Sequence, residues 1–503
     1  MDNRKFTEQE LIRREKYKTL VERGRDPFLL TQFERNATLT ELKTTFAKFS
    51  KEELANVEPK QLLKTAGRIK LFREAGKKAA FVNIQDQDAD IQLYVRMDEL
   101  GEDNFNAFRD LDLGDIIGVE GHMMKTDHGE LSIRVCQYTL LSKALKPLPD
   151  KHAGIQDIEE KYRRRYVDLI MNPEVKKTFQ KRSKIVRALQ KFLDDQGYME
   201  VETPILQSVK GGAAAKPFKS YFNALDHEFT LRIATELPLK RLIVGGFEGV
   251  YEIGRLFRNE GMSARHNPEF TTLELYVAYK GLDFLMNINE KILKACNDAV
   301  NDSSIIHYGG YEIDLGKSFA RVHMVDAIKN VTGVDFWKEM TFDEALAIAK
   351  KHHVKVEKHH FGVGHIINLF FEEFVEKTII QPTFIYGHPV EVSPLSKSNK
   401  DNPRFTDRFE LFIIGREYAN AYCELNNPIE QYSRFEEQLQ EIEFGNDEAG
   451  EMDIDFIEAL EYGLPPTAGF GLGIDRMVML LTNSESIKDV LLFPQMKPRE
   501  GNN

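Results

Sequence analysis

The 503-residue sequence predicts an α+β protein in which a small β-barrel precedes a large domain of helices and strands. Short strand-like segments follow one another between Thr65 and Leu141, separated by turn or loop sequence. Beyond them, a long amphipathic helical stretch leads into further strand-like segments. The length suggests about three domains, and 42% hydrophobic residues can supply a large core.

Residues 1–58 are expected to form an N-terminal helical extension. Thr7 and Glu10 have the spacing of a capping box, and charged residues alternate along the stretch that follows. Two interpretations remain open. The segment is either a solvent-facing helix or a helix that touches RNA through its basic side chains, which are Arg13, Arg14, Lys16 and Lys18.

Residues 59–143 are expected to form the barrel. A row of five short strands is typical of the OB-fold. Phe81 and Gln92 lie on strands that would expose a face able to stack unpaired bases and to bond their edges. A core phenylalanine and a surface glutamine are the plainer alternative. The five predicted strands are residues 67–71, 80–85, 91–95, 115–121 and 131–135.

Residues 144–165 are predicted to be a linker, and residues 166–503 to be the large domain, with a helical insertion near residues 341–379. The linker leads into the basic run 161–166, which either contacts phosphate or caps a helix. Neighbouring lysines favour an exposed helix over a metal site for the histidines of the insertion, which are His352, His353, His359 and His360.

A helical stripe opens the large domain and ends at Gly197, which suits a helix C-terminus. Residues 198–204 then resemble a strand with Pro204 at a sheet edge. This helix and strand either form a dimerisation element or pack on the core of their own domain. The stripe consists of Val175, Phe179, Val186, Leu189 and Leu193.

Composition excludes several classes of protein. The net charge of −12 argues against nonspecific binding to nucleic acid, so we expect no DNA partner and only local contact with RNA. We also expect no membrane partner, because no run of about 18 apolar residues occurs. The three cysteines are far apart and the first residues do not resemble a secretory signal, which together fit a reducing cytoplasm.

The most informative segment is residues 257–270. Alternation places Arg258 and Glu260 on one face of a strand, and Glu274 and Tyr276 on one face of the returning strand. An arginine and a loop histidine beside carboxylates would suit a nucleotide phosphate next to a cationic substrate. A salt-bridged hairpin is the alternative, because surface ion pairs are common and weak.

Four further segments carry candidate chemistry, and each is weak alone. A small-residue loop at 211–215 gives a ligand close access to backbone. Glu236 lies near a helix start, where it complements the helix dipole or faces a ligand. Asn420, Tyr422 and Glu424 recur on one strand face, and buried polar groups there would need partners. The fourth segment is the glycine-rich run 469–476, which ends at Arg476 and lacks the spacing of a Walker loop or a dinucleotide fingerprint.

Together and in this order, these segments resemble the class II aminoacyl-tRNA synthetases of the aspartyl, asparaginyl and lysyl subgroup, and especially their lysyl branch. The segment ending at Pro204 resembles the first class motif, residues 257–270 the second, and residues 469–476 the third. The resemblance implies an anticodon-binding OB-fold barrel and an antiparallel-sheet catalytic domain with flanking helices. The runs typical of the lysyl branch are 211–216, 381–391 and 463–469.

The resemblance also implies an activity: lysine is activated with ATP and Mg²⁺ and transferred to tRNA(Lys) by a cytoplasmic homodimer. The implied ATP-binding residues, of which Arg258, Glu260 and Arg476 are catalytic, are Arg258, Glu260, His266, Asn267, Phe270, Glu417 and Arg476. The implied lysine-binding residues are Gly212, Glu236, Arg258, Glu274, Tyr276, Asn420, Tyr422 and Glu424. Glu417 and Glu424 are implied as magnesium ligands, and Phe81, Gln92, Arg73 and Glu130 as anticodon-reading residues.

Physical chemistry separates the alternatives. A buried ammonium requires a paired carboxylate, so Glu236 and Glu274 favour lysine over aspartate or asparagine. A noncatalytic RNA-binding relative would be expected to lack the phosphate-gripping Arg258 and Arg476, which are present. A relative that lysylates a protein instead of tRNA would be expected to lack the N-terminal barrel.

Overall fold

The computed structural model describes residues 5–56, 61–149, 157–208, 212–213, 215–443 and 452–499. The chain forms two compact units, Met1–Asp157 and Ile158–Asn503, which are described separately. The predicted boundary at 58 and 59, residues 150–156 of the predicted linker, and residues 211 and 214 of the small-residue loop lie outside the described residues. The division into four segments stays a prediction.

The first unit contains a closed barrel of five strands in the order β1-β2-β3-β5-β4. All neighbours are antiparallel except β3 and β5, which are parallel. Strict alternation on β2 sends Val82 and Ile84 into the core and leaves the residues between them partly exposed. The predicted OB-fold barrel is confirmed. Its strands are β1 Leu63–Glu74, β2 Ala79–Gln85, β3 Asp90–Arg96, β4 Ile116–Lys125 and β5 Leu131–Ser142.

The first helix of this unit is α1. Thr7 and Glu10 form the predicted capping box at its N-terminus. Arg13 on α1 is buried and donates hydrogen bonds to the carbonyl oxygens of Leu113 and Ala144. These contacts disfavour RNA binding by Arg13, since its side chain is buried and bonded to backbone within the unit. The helices are α1 Glu8–Glu22, α2 Leu39–Phe46, α3 Lys51–Asn56, α4 Met97–Leu100 and α5 Glu102–Arg109.

The second unit is built on an eight-stranded sheet in the order β14-β15-β16-β17-β18-β11-β10-β6. The sheet is antiparallel except for the parallel pairs β14–β15 and β10–β6 at its two edges. Its strands are β6 Met199–Glu200, β10 Gly249–Phe257, β11 Glu269–Ala278, β14 Ala320–His323, β15 Thr383–Tyr386, β16 Arg408–Phe412, β17 Glu417–Cys423 and β18 Thr467–Gly473. The smaller sheets hold β7 Leu206–Gln207, β8 Lys219–Phe222, β9 His227–Leu231, β12 Ile305–Tyr308 and β13 Tyr311–Asp314.

Helices flank this sheet, so the predicted α+β architecture is confirmed. The opening helix, α8, buries Ile185, Leu189 and Leu193 against the core that contains Tyr251 of β10. Gly197 follows α8 with φ +82°, a left-handed conformation that favours glycine. The helices are α6 Ile158–Arg163, α7 Arg165–Met171, α8 Pro173–Asp195, α9 Glu236–Val244, α10 Leu282–Asp298, α11 Met324–Thr332, α12 Phe342–Lys351, α13 Val363–Phe370, α14 Pro428–Glu443, α15 Ile454–Glu461, α16 Ile474–Thr482 and α17 Ile487–Val490.

The predicted insertion near 341–379 contains α12 and α13, followed by a π-helical turn at Phe371–Val375. Its status as an insertion stays a prediction. Among the helices of the described residues, none combines the length and the apolar run that a bilayer crossing would need.

Candidate active site

One cavity of about 800 Å³ opens in the second unit, against the central strands of the large sheet. All of the predicted ATP-binding and lysine-binding residues line it except Glu424. The predicted residues that line it are Gly212, Glu236, Arg258, Glu260, His266, Asn267, Phe270, Glu274, Tyr276, Glu417, Asn420, Tyr422 and Arg476.

One end of the cavity is acidic and closed. Glu236 is the first residue of α9 and is 5% exposed, and Glu274 on β11 is 7% exposed. The hydroxyl of Tyr422 donates to Glu236 Oε2 over 2.6 Å, and the hydroxyl of Tyr276 donates to Glu274 Oε2 over 3.0 Å. The backbone N–H of Thr235 donates to the other oxygen of Glu274. These neutral donors hold both carboxylates in place without cancelling their charge.

Glu274 is unusually easy to protonate. Burial, and then the negative charge of Glu236, raises the pKa of Glu274 to about 7. A bound cation would favour the ionised form, since an opposite charge nearby lowers the pKa of a carboxyl group. The acidic end therefore gains more from an ammonium ligand than from a neutral one.

Glu424 lies behind this acidic end and is fully buried. Lys240 on α9, also fully buried, donates to Glu236 Oε1 over 2.6 Å and to Glu424 Oε2 over 2.7 Å. The second oxygen of Glu424, Oε1, has no hydrogen-bond partner in the structure. Glu424 thus belongs with the carboxylates of the acidic end, and the geometry does not favour its predicted pairing with Glu417 around a magnesium ion.

Two glycines of β18 make room for the acidic end. Gly469 lies between Tyr276 of β11 and Tyr422 of β17, and Gly471 lies between Glu274 and Asn420 in the same register. A Cβ atom on Gly469 would come within 2.4 Å of both Glu424 Oε1 and the Tyr276 ring. The glycine-rich run is therefore the floor of a pocket whose walls are polar side chains of the neighbouring strands.

Gly212 closes the pocket from the other side. Its φ of +84° is a conformation that side-chain-bearing residues rarely adopt. A Cβ atom there would approach the Cβ atoms of Ala234 and Glu236 at 3.1 and 3.4 Å. Glycine is required at this position for both reasons, and its backbone can therefore approach a ligand closely.

The other end of the cavity carries arginines. The prediction that Arg258 and Glu260 share a strand face is wrong, because β10 ends at Phe257 and both residues lie in the following loop. The Arg258 guanidinium lies 5.3 Å from the centre of the Phe270 ring, and its Nε is buried without a hydrogen-bond partner. Glu260 is exposed. Arg258 therefore keeps donor capacity free for a ligand.

Internal hydrogen bonds hold the loop after Arg258. Ser263 Oγ accepts from the backbone N–H of His266 and lies 3.0 Å from its Nδ1. Asn267 is buried, and its side chain donates to the carbonyl oxygen of Glu269 and accepts from the backbone N–H of Gln495. Burial, and then the positive charge of Arg476, lowers the pKa of His266, so this imidazole is neutral at pH 7. The side chain of Asn267 shapes the loop from within.

Arg476 on α16 completes the arginine end by donating to the carbonyl oxygen of Glu417 over 2.7 Å. Two residues that sequence reasoning missed also line the cavity, Arg408 and Glu410 of β16. Arg408 donates to Asn420 Oδ1 over 3.0 Å and to Glu410 Oε1 over 2.6 Å. Their alternation on a strand with buried Phe409 between them was a signal available in the sequence.

Glu410 and Glu417 are the carboxylates best placed for a cation at this end. Both line the cavity and lie on the adjacent strands β16 and β17. Enclosure by the cavity walls, and then the negative charge of Glu410, raises the pKa of Glu417, as expected for carboxylates that face one space. This donor set of two carboxylates fits Mg²⁺, which takes few protein ligands and completes its shell with phosphates and water.

The histidines of the predicted insertion contribute no metal cluster. His359 and His360 line the cavity, with His365 beside them, whereas His352 packs against Phe370. Burial lowers the pKa of His360 and of His365 to about 4, so both imidazoles are neutral. Within the described ranges, no group of three or more His, Cys, Asp or Glu side chains is arranged to hold a metal ion.

A second candidate site lies on the outward face of the barrel. Phe81 of β2 is partly exposed and stacks on Tyr94 of β3, with ring centres 4.9 Å apart and planes inclined by 20°. Arg73 of β1 lies opposite Phe81 in the strand pairing. A role for Tyr94 was not predicted from the sequence, although Tyr94 lies two residues after Gln92 and therefore on the same face of β3. Together these residues form an aromatic platform bordered by an arginine.

Gln92, by contrast, is 6% exposed. Its amide accepts from Arg73 over 3.2 Å and donates to Ser132 Oγ over 2.9 Å. The Ser132 hydroxyl donates in turn to the carbonyl oxygen of Glu130, which is exposed. The structure thus links Arg73, Gln92 and Glu130 through one hydrogen-bonded chain beside the aromatic platform.

Comparisons with known proteins agree with this geometry. Residues 157–497 match the family model described as tRNA synthetases class II (D, K and N), and residues 63–141 match an OB-fold nucleic acid binding domain. The chain is 70% identical over 500 residues to the lysine–tRNA ligase of Mycoplasma mycoides, covering 99% of this chain and all of that one. It is 56% identical over 492 residues to the lysine–tRNA ligase of Streptococcus thermophilus, covering 98% of each.

The matches extend over both units, and the strands and helices that form the cavity lie within the class II match. The expected aspartyl, asparaginyl and lysyl subgroup is therefore confirmed. The chain belongs to the class II aminoacyl-tRNA synthetases of the D, K and N group, and within that group to the lysine–tRNA ligases.

Proposed function

We propose that this chain activates lysine with ATP to form lysyl-adenylate and then transfers the lysyl group to tRNA(Lys). The observation that carries the proposal is that one cavity has buried carboxylates at one end and unsatisfied arginine donors at the other. The first end suits ammonium groups, and the second suits phosphate and carboxylate oxygens. An amino acid with a cationic side chain and a nucleotide would meet between the two ends.

In this proposal the acidic end holds lysine. Glu236, Glu274 and Glu424 pair with its ammonium groups, Tyr276 and Tyr422 keep the carboxylates oriented, and the backbone at Gly212 closes over the substrate. A site that satisfies buried polar groups rejects analogues lacking them by about 10⁴-fold or more. An aspartate side chain would instead place a further anion against buried carboxylates, which argues against aspartate specificity.

The arginine end holds ATP and the reacting carboxylate. An oxygen of the lysine carboxylate attacks the α-phosphorus, forming the acyl-phosphate bond as the bond to pyrophosphate breaks. Arg258 bridges the two anions with a bidentate fork, and Phe270 stacks on the adenine. Arg476 positions the remaining phosphates, and Glu260, His266 and Asn267 belong to the loop that binds ATP. No protein nucleophile is needed, so rate enhancement comes from positioning and electrostatics.

Mg²⁺ is proposed to bind at Glu410 and Glu417. This assignment keeps the predicted Glu417 and replaces Glu424, whose oxygens face Lys240 and the acidic end. When bound, the ion would neutralise charge on the ATP phosphates.

The second step uses the tRNA. A hydroxyl of its terminal ribose attacks the carbonyl carbon of lysyl-adenylate, the ester bond forms, and AMP leaves. We propose that the barrel selects the tRNA by stacking an anticodon base on Phe81 and Tyr94. Arg73 bonds a base edge or phosphate, Glu130 accepts from a base edge, and the buried Gln92 holds Arg73 in place.

We further propose that the protein works as a homodimer in the cytoplasm. The short edge strand β6 and the residues after it expose large apolar side chains, with Met199 53%, Ile205 45% and Leu206 46% exposed. Such a patch suits burial against a second copy. A native mass measurement should give twice the mass of one chain. The cysteines Cys136, Cys296 and Cys423 are free, as a reducing compartment requires.

The test of the activity is ATP–pyrophosphate exchange with each of the twenty amino acids, followed by charging of tRNA(Lys). Exchange with lysine, and charging that depends on tRNA, are expected. Exchange with aspartate or asparagine in place of lysine would refute the assignment of the acidic end. Absence of exchange with every amino acid would favour a noncatalytic RNA-binding role.

A further inference from the structure

Lys240 is a fully buried cation inside the acidic end. It lies one helical turn after Glu236 on α9, and its Nζ bonds one oxygen of Glu236 and one of Glu424. The ammonium also lies 5.2 Å from the centre of the Phe456 ring. A buried ammonium is costly unless it is paired, so its place between two carboxylates calls for an explanation.

The acidic end contains more buried negative than positive charge. Three carboxylates, Glu236, Glu274 and Glu424, are each no more than 7% exposed. Among the described residues, Lys240 is the one cation that is hydrogen-bonded to any of them. When all three carboxylates are ionised, which a bound cation favours, three negative charges and one positive charge leave two negative charges. Free lysine brings two ammonium groups, and its carboxylate would go to Arg258.

We propose that Lys240 is a positioning residue that permanently neutralises one of the three carboxylates, so that the pocket matches a substrate with exactly two ammonium groups. This inference rests on the proposed lysine-binding function and extends it to the mechanism of selection. A substrate with one ammonium group would leave a buried carboxylate unpaired, which is strongly unfavourable.

Lys240 also sets which oxygens stay available. It occupies Glu236 Oε1 and Glu424 Oε2, while the Tyr422 hydroxyl occupies Glu236 Oε2. The oxygen left without a partner is Glu424 Oε1, which lies directly beside Gly469 in the floor of the pocket, so close that a Cβ atom on Gly469 would clash with it. By fixing both carboxylates, Lys240 presents this oxygen toward the pocket as an acceptor for a substrate ammonium.

The test is a charge-balance cycle in the full-length protein. Lys240→Met keeps the length and the apolar stem but leaves three carboxylates against two substrate ammonium groups. Glu424→Gln leaves Lys240 and the two substrate ammonium groups against only two carboxylates. The double variant with both changes restores the match. The KM values for lysine and ATP in pyrophosphate exchange are measured for the wild type, both single variants and the double variant.

Each single variant is expected to raise the KM for lysine at least tenfold and to change the KM for ATP less than twofold. The double variant is expected to have a KM for lysine about tenfold below that of Glu424→Gln alone. A purely structural role for Lys240 predicts the opposite, since removing it would add its own loss to that of Glu424→Gln. Lys191→Met, at an exposed lysine paired with Asp195, is the matched control and should behave as wild type.

The outcomes separate the two proposals. If the wild type shows no lysine-dependent exchange, the proposed function fails. If the wild type exchanges but the double variant is no better than Glu424→Gln, the charge-matching role of Lys240 is overturned. Should Lys240→Met not fold, the comparison of Glu424→Gln with the double variant still decides, because the double variant has the same buried net charge as the wild type.

Discussion

The two ends of the cavity are built on opposite principles. At the acidic end, Glu236 and Glu274 are less than 8% exposed and receive hydrogen bonds from tyrosine hydroxyls, the backbone and Lys240. At the arginine end, Glu260 and His266 lie in an exposed loop, and Arg258 Nε has no protein partner. One end has its carboxylates fixed in position before a ligand arrives, whereas the other has donors that a ligand must satisfy.

This difference teaches how selection and chemistry are divided. A preformed pocket discriminates between amino acids without spending binding energy on rearrangement. Unsatisfied donors at the reaction centre gain most when negative charge develops there, which is what accelerates the chemical step. Substitutions at the acidic end should therefore change KM for lysine, and those at the arginine end should change kcat.

The largest effect is expected for Arg258→Gln. Removing the proposed bridge between carboxylate and α-phosphate should lower kcat for pyrophosphate exchange by about 10³-fold, since single donors of this kind contribute about 10²- to 10³-fold. Steady-state exchange kinetics measure the change. Arg255→Gln is the matched control, because Arg255 lies three residues earlier on β10, is exposed and pairs with Glu269 away from the cavity. Equal losses for both variants would contradict the assignment of Arg258.

The next largest effect is expected for Glu274→Gln. The substitution preserves shape but removes a buried negative charge, and truncating one partner of such a pair costs about 2–5 kcal/mol. The KM for lysine should therefore rise roughly 100-fold, while the KM for ATP stays close to the wild-type value. Glu228→Gln, at an exposed glutamate of β9, should leave both KM values unchanged. A rise in the ATP KM as large as that for lysine would contradict the assignment of lysine and ATP to separate ends of the cavity.

A smaller effect, confined to tRNA, is expected for Phe81→Ala. Base stacking on an aromatic ring contributes about 1–3 kcal/mol, so the KM for tRNA(Lys) in charging should rise roughly tenfold. Pyrophosphate exchange should stay unchanged, because it needs no tRNA. Tyr94→Phe keeps the stacked pair and serves as control. Equal losses in charging and exchange would count against an anticodon role for the barrel.

Local patterns predicted much of the fold and part of the site. Short strand-like runs between turn sequences predicted the barrel strands. Alternation predicted the shared face of Asn420 and Tyr422, because side chains on a strand alternate strictly between its two sides. Alternation failed at Arg258 and Glu260, because β10 ends at Phe257 and both residues lie in a loop that is held by its own internal hydrogen bonds. Strand ends depend on such tertiary contacts, which a local pattern does not contain.

The residues that sequence reasoning missed share a physical reason. Lys240 reads as an ordinary helical lysine, and only the packing of α9 against Phe456 and Glu424 buries it. Glu410 lies seven residues before Glu417, and the pairing of β16 with β17 brings the two to one cavity. Both depend on which elements are neighbours in space. The parallel edge pairs escape sequence reasoning for the same reason, and so does the length of β6, which has two residues within the strand predicted over residues 198–204.

The smallest expected effect is a pH dependence that distinguishes the two ends. Since burial and Glu236 raise the pKa of Glu274 to about 7 in the empty pocket, the carboxylate becomes protonated as pH falls through that value. Lysine pairs with the ionised form, so its affinity should fall as the solution becomes more acidic. With a pKa near 7, the dissociation constant for lysine should rise roughly fourfold between pH 8 and pH 6.5, as measured by titration calorimetry.

In Glu274→Gln this dependence should weaken, because the amide does not titrate, and what remains belongs to Glu424, whose pKa burial raises to about 8. ATP affinity over the same pH range supplies the internal comparison after correction for the ionisation of ATP itself, since Glu274 lies at the lysine end. If lysine affinity in the wild type rose on acidification, the pocket would be binding a protonated carboxyl group instead of a carboxylate. Such a result would exclude the proposed ion pair between lysine and Glu274, and with it the assignment of lysine selection to the acidic end.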